Sequence, residues 1–353
     1  MRCAILAVSS QGASLARRVC AALDEEADIY VNEKYMAAAP EGAKPFWRLS
    51  EYVAEIFHRY DALIFIAAAG IAVRMIAPHL AGKLEDPAVL VMDERGKHVI
   101  SLLSGHMGGA NLLARQLAES LGAVAVITTA TDVEGLLAPD LLAAGLALRP
   151  WPKERIEQMN SALLRGEDIG YYVEASLAHA EFYREKLQEQ GIPAALVRRE
   201  ELPEQGLRVF VTGRAGDGLP GLLYLLPRRL VAGVGCRKGT SEELVRAALE
   251  AACRRIGRDL SFIDLLATSE VKREEEGLLS VARTLGRDIR FFGKDALQRQ
   301  VDAYHLRESS FVRKQIGVGN VCEAAALACV PAGRFALPKT KYEKVTVALL
   351  WEK

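Results

Sequence analysis

HVISLLSGHMGGANLLARQLAESLGAVAVITTATD, residues 98–132, carries in one run the alternation that sets the fold class. A β-type run over 98–103 leads into a turn holding three glycines, the turn opens an amphipathic helix over 109–121, and AVAVITT (123–129) returns to a strand pattern. Strand, helix and strand in that order predict a sheet with parallel strands covered by helices. Upstream, CAILAVS (3–9), DIYVN (28–32), ALIFIAA (62–68) and AVLVMD (88–93) read as further strands, with helices over 14–25 and 47–60 among them. Around ERGK (94–97) a short loop containing glycine predicts one antiparallel hairpin within the otherwise parallel sheet.

Beyond TATDVEGLLAPD the pattern changes, and prolines interrupt LLAAGLALRPWPKERIEQ. The expected division is an N-terminal α/β domain over 1–133, a small middle α/β domain over 134–228, and a C-terminal α/β domain over 229–353. In the middle stretch, helices near 154–165 and 178–190 and strands near 170–174, 194–198 and 208–212 are predicted. Alternation resumes with the strand LVAGVG, a helix from Ser241, the strand FIDLLAT (262–268), a helix near 274–286, IRFFG, and VTVALLW (345–351).

With 353 residues, half of them apolar, each domain can bury its own core. Lys plus Arg number 45 and so do Asp plus Glu, which argues against a nucleic-acid or membrane-surface protein held by a global positive field. An anionic ligand must therefore be held by local patches. The longest apolar run, 62–73, is 12 residues, well under the roughly 20 that span a bilayer. The six cysteines are scattered with no C-x-x-C pair, as expected of small buried hydrophobes in a reducing cytoplasm. No metal motif is signalled, so no protein cofactor is expected.

The candidate sites are placed where strands end, because loops there splay apart and the next helix presents free N–H groups. GIAVR (70–74), with Arg74, follows ALIFIAA; SGHMGGAN follows HVISLL; TTATD follows AVAVI; the three are expected to crowd one end of the sheet. Gly105, Gly108 and Gly109 would let the backbone approach an anion at a helix N-terminus, with Ser104 and Asn111 beside them. The plainer reading is a strand-to-helix turn capped by Ser104. His106 could serve as general acid or base, or be a histidine hydrogen-bonded in a turn. Thr129 and Asp132 could hold water or substrate, or Asp132 could simply cap the chain segment after it.

In the C-terminal domain AGVGCRKGTSEEL (232–244) places Arg237 and Lys238 in a loop before a helix whose capping box is read as Thr240 and Glu243. Lys272 precedes a carboxylate run that otherwise reads as a solvated face. Glu323, among Val, Cys and alanines, is either a carboxylate serving the helix dipole or a base with raised pKa. Arg334, Lys339, Lys341 and Lys344 against Glu343 make a local positive strip.

Taken together, GIAVR-x3-P, K-x2-DPAV, D-x2-G, ISLLSGH-x-GGAN, TTATD, AGVGCRKGTS, T-x3-K-x2-E-x-GL, V-x-EAAAL and PK-x-K resemble the cobalt-precorrin-5A hydrolase family (CbiG) of anaerobic cobalamin synthesis. The last domain is similar to the stand-alone corrinoid-pathway domain CobE, and the resemblance is weakest over 134–228. It implies opening of a δ-lactone on a cobalt-containing tetrapyrrole and release of acetaldehyde. The partner it implies is an anionic cobalt-tetrapyrrole substrate that brings its own cobalt, with a homodimer or transient contact with other pathway enzymes also open. On that reading His106 is expected to be the base, Asp132 or Glu323 the second proton-transfer group, amides near Gly108 and Gly109 the oxyanion donors, and Arg237, Lys272 and Lys339 the carboxylate grips.

Other readings stay open. S-x-H-x-x-G resembles the D-x-H-x-x-G that supplies an axial histidine to cobalt in some corrinoid-binding proteins, with Ser104 where the orienting Asp would stand. A non-catalytic corrinoid carrier would use the same grips without a base. A nucleotide-binding regulator would need a full G-x-G-x-x-G, and GVGCRKGT lacks its third glycine.

Overall fold

The computed structural model describes residues 1–23, 27–82, 85–331 and 333–353. The end of the helix read over 14–25, and Lys83 of K-x2-DPAV, lie outside the described residues. The chain divides into two compact units, Cys3–Arg228 and Arg229–Lys353, the latter with Met1–Arg2. Each of the three stretches read from the sequence holds one sheet, and the first two stretches share a unit.

The first sheet is built from β1 (Cys3–Ala7), β2 (Ala27–Asn32), β3 (Lys44–Phe46), β4 (Ala62–Ile66), β5 (Ala88–Met92), β6 (His98–Leu103) and β7 (Val124–Val126), in the order β3-β2-β1-β4-β5-β6-β7. All neighbours are parallel except β5 and β6, the predicted hairpin. Every residue of β1, β4 and β5 is buried, as continuous apolar runs require when helices cover both faces. Burying one side chain such as Ile5 or Leu6 contributes about 1.5–3 kcal/mol. The short β3 gave no sequence signal, since Pro45 is tolerated only because the strand is an edge.

The hairpin overturns one expectation. It reverses the chain, so Leu103 at the end of β6 pairs with Val89 at the start of β5. SGHMGGAN and TTATD therefore emerge together at one end of the sheet, whereas GIAVR follows β4 at the opposite end. Arg74, on helix Ala69–Ile76, is exposed, donates to the Gly70 carbonyl (3.1 Å), and is separated from the His106 loop by the length of the strands.

The second sheet has the order β10-β9-β11-β12-β8, with β8 (Leu148–Trp151), β9 (Ile169–Glu174), β10 (Ala194–Val197), β11 (Leu207–Val211) and β12 (Leu222–Pro227). Only β8, carrying Pro150 on an edge, runs antiparallel. Helix Pro139–Gly145 precedes it.

In the second unit the sheet order is β15-β14-β13-β17-β16, from β13 (Leu230–Cys236), β14 (Ile263–Ser269), β15 (Asp288–Phe292), β16 (Arg334–Lys341) and β17 (Val345–Trp351). β13 to β15 are parallel, while β17 is antiparallel to both its neighbours. Helix Cys322–Cys329 lies directly on β13: a β-carbon on Gly233 would stand 1.9 Å from the Cys322 carbonyl oxygen. The first glycine of GVG thus serves close helix packing. Among the described residues no helix is long and apolar enough to cross a membrane.

Candidate functional site

Antiparallel pairing of β13 with β17 puts the C-terminal end of one beside the N-terminal end of the other, and the β16–β17 hairpin turn falls at that same edge. Four separate sequence segments meet there around a cleft of about 640 Å³. Its cationic lining is Arg237 and Lys238 after β13, Lys272 after β14, Lys339 and Lys341 on β16, and Lys344 in the hairpin turn. No carboxylate lines it; its apolar lining includes Val271, Phe311, Val312 and Ile316. Arg237, Lys238, Lys272 and Lys339, which come from three stretches far apart in the sequence, thus share one cavity, and Arg334 of the positive strip does not line it. Lys341 and Lys344 were visible only as part of a positive strip, and Phe311 carried no signal.

Of these six cations, only Lys272 has a carboxylate partner among the described residues. Lys272 is buried and donates to Glu275 (3.0 Å), whose other oxygen accepts the Gly239 N–H. That pair ties the loop after β13 to the segment after β14. The remaining five ammonium and guanidinium groups leave a local positive field in a chain with no net charge. Cys236 also lines the cleft, and burial pushes its thiol up to about 11, a rise that the Lys272 charge opposes, so it is a neutral thiol near pH 7. The helix cap falls one residue later than read: Ser241 precedes helix Glu242–Arg255, while the Thr240 hydroxyl donates to the Arg237 carbonyl (2.8 Å).

Glu323 is 4 % exposed and is not among the lining residues. One carboxylate oxygen accepts the side-chain amide of Asn320, and the other accepts the backbone N–H of Lys339 at 3.0 Å. Between Leu337 and Thr340 the register of β16 against β17 shifts at Pro338. The carboxylate therefore supplies the Lys339 amide with an acceptor at an irregularity in the strand.

The other predicted cluster lies in the first unit. His106 is 8 % exposed, and both ring nitrogens are engaged: Nε2 with Asp132 at 2.8 Å, Nδ1 with Asp140 at 3.1 Å. The Thr131 hydroxyl stands 3.3 Å from Nε2. Asn111 donates to Asp132 (2.8 Å) and to Thr129 (3.1 Å) while accepting from Ser101 (2.6 Å). Arg115 donates to the second Asp132 oxygen (2.8 Å), and Asn160 donates to Asp140 (3.2 Å). Burial alone would depress the imidazole pKa, but the hydrogen bonds and charges of Asp140 and then Asp132 reverse the sign, and His106 is raised above its ordinary 6.5. Burial would raise Asp140; the His106 contact and Asn160 overcome it, and Asp140 is lowered. Both contacts thus stabilise the protonated imidazole.

The glycine turn is built for itself. The N–H groups of Gly109, Ala110 and Asn111 donate to the carbonyls of His106, Ser104 and Gly105 (3.0, 3.2 and 3.0 Å), so these amides are not open to an outside oxyanion. Gly109, with φ +86°, is the N-cap of helix Ala110–Leu121 in place of Ser104. A β-carbon on Gly108 would stand 2.4 Å from that of Ser104, and one on Gly105 would meet the Asn111 side chain at 2.7 Å. The Ser104 hydroxyl donates to the Asp86 carbonyl (3.2 Å). Asp140 was missed because it ends TATDVEGLLAPD, where the sequence signalled only a change of pattern.

Comparison with known proteins bears on both clusters. A family profile described as cobalamin synthesis G N-terminal matches residues 51–132, and one described as cobalamin synthesis G C-terminus matches 230–350. The chain is 37 % identical over 336 residues to the cobalt-precorrin-5A hydrolase of Salmonella typhimurium, covering 92 % of this chain and 90 % of that one. To the cobalt-precorrin-5A hydrolase of Priestia megaterium it is 28 % identical over 98 % of this chain and 94 % of that one. A solved structure of a cobalamin biosynthesis protein G homologue from Sulfolobus solfataricus aligns with a TM-score of 0.59 at 22 % identity, covering 99 % of this chain and 97 % of that chain, which supports the fold.

Proposed function

Because the chain belongs to the cobalamin synthesis G family of hydrolases, we propose that it acts on cobalt-precorrin-5A, opening the δ-lactone and releasing acetaldehyde. The observation that carries this is the cleft of the second unit: five cations without carboxylate partners among the described residues surround apolar side chains, with no acid in the lining. That pattern complements a tetrapyrrole, which has an apolar macrocycle and a rim of acetate and propionate groups. Cobalt is part of this substrate and arrives with it. The scattered free cysteines fit a reducing cytoplasm.

The chemistry asks for several proton transfers, in a lactone opening and then a carbon–carbon cleavage. A water oxygen adds to the lactone carbonyl carbon as a base takes its proton, and the ring C–O bond breaks, leaving a carboxylate and a freed hydroxyl. Loss of the hydroxyl proton then forms the aldehyde carbonyl; the carbon–carbon bond breaks and its electron pair enters the conjugated macrocycle, which takes up a proton. Within the first unit the candidate for proton handling is His106 with Asp132: a proton passed from the imidazolium to Asp132 across their 2.8 Å contact leaves a neutral imidazole able to act as a base, with no change in the total charge of the pair. Glu323 is instead assigned to holding Lys339.

Incubation with cobalt-precorrin-5A and trapping of acetaldehyde tests the reading. Many equivalents per chain are expected. Tight binding of the substrate with no acetaldehyde would make the protein a corrinoid carrier, the alternative that the same cleft would serve.

A further inference from the structure

Lys344 stands out among the six cations of the cleft because of its backbone. The hairpin from β16 to β17 turns through Tyr342, Glu343 and Lys344 and closes with the Tyr342 N–H on the Val345 carbonyl (2.8 Å). Lys344 sits at φ +55°, in the left-handed region. Three-residue hairpins ordinarily place glycine at such a position, and asparagine is the next best tolerated, because a lysine β-carbon crowds the backbone there. The turn has no use for this side chain. The carbonyl of Lys344 accepts the Arg237 N–H (2.9 Å), a bond any residue would make. Its ammonium is exposed, has no carboxylate partner among the described residues, and lines the cavity that also holds Arg237, Lys238, Lys339 and Lys341. Glu343, next in the chain, is not part of that lining. Backbone conformation and like-charge crowding thus both count against a lysine here for folding.

We infer that Lys344 is a gripping residue of the cleft, whose ammonium binds a carboxylate on the rim of the tetrapyrrole and whose strained backbone is tolerated for that contact. The inference rests on the reading of the cleft as the seat of an anionic macrocycle. It assigns to the hairpin turn a specificity role that its strand-connecting duty does not require.

Two measurements on the full-length chain separate function from structure: thermal denaturation, and equilibrium binding of cobalt uroporphyrin, a tetrapyrrole ringed with acetate and propionate carboxylates, followed by its absorption. Lys344→Gly and Lys344→Asn relieve the backbone and remove the charge, so Tm is expected to rise by about 2–4 °C while binding weakens by about three- to tenfold. Lys344→Ala keeps the crowding and loses the charge, so it should weaken binding equally with no gain in Tm. Lys344→Arg should bind like the wild type. Lys339→Ala is the internal control for the cleft. If Lys344→Gly and Lys344→Asn bind as tightly as the wild type while Lys339→Ala binds more weakly, the inference is overturned and the functional reading stands. If both variants lose Tm as well as binding, Lys344 serves the turn and the inference is likewise overturned. A wild-type protein that binds no cobalt uroporphyrin at all refutes the reading of the cleft itself.

Discussion

At the scale of single residues, His106 is defined by its surroundings. Both nitrogens are engaged by carboxylates, so the residue is tuned by two partners, of which Asp140 comes from a helix beyond the N-terminal sheet. Replacing His106 with Asn should lower acetaldehyde release by about a hundredfold or more in a folded protein; near-normal turnover would remove the imidazole from the chemistry. The stability consequence has a definite sign. The folded-state pKa of His106 is raised, so its contribution is fully present below about 6.5 and is lost as pH rises through the higher folded value. That of Asp140 is lowered, so its contribution is present above about 3.8 and lost as pH falls through the folded value. The Tm deficit of His106→Asn should therefore be large near pH 6 and shrink towards alkaline pH. A deficit that grows on raising the pH would contradict the imidazolium assignment.

Elements bring these residues together through close backbone approaches. Helix Cys322–Cys329 can lie on β13 only because Gly233 has no side chain, and that contact holds Glu323 against the irregular part of β16. Gly233→Ala is expected to destabilise the protein by about 3 kcal/mol, by pushing the helix off the sheet, measurable as a lowered denaturant midpoint; an unchanged midpoint would mean the helix moves freely. Glu323→Ala should loosen the segment that presents Lys339 and raise KM about tenfold with a smaller change in kcat. Glu323→Gln, which keeps one acceptor for the Lys339 amide, should recover most of the loss. A collapse of kcat with KM unchanged would return Glu323 to the chemistry.

For the whole molecule, positive charge is local. The chain has equal numbers of acidic and basic residues, yet five cations with no carboxylate partner among the described residues share one cavity. Binding of cobalt uroporphyrin should accordingly weaken by about tenfold between low and high ionic strength, because exposed ion pairs are screened within a Debye length of about 10 Å at 0.1 M. Salt-independent binding would point to the apolar lining as the whole of the attraction.

The amino-acid sequence was enough to establish the alternation of strands and helices and the antiparallel hairpin at ERGK, and to name cations that line the second unit's cleft, since hydrophobic period, turn chemistry and residue charge are local properties. It also picked out His106, Asn111 and Asp132, because a titratable side chain, an amide and a strand-end carboxylate carry their chemistry in their names. Which of these meet is settled only in three dimensions. The hairpin, legible in sequence, reverses the sheet and parts Arg74 from His106, a consequence visible only once pairing is known. Asp140 joins the histidine from 34 residues away, and the amides of Gly109, Ala110 and Asn111 are bonded within their own loop. Hydrogen-bond partners are chosen by distance in space, and no local pattern records that distance.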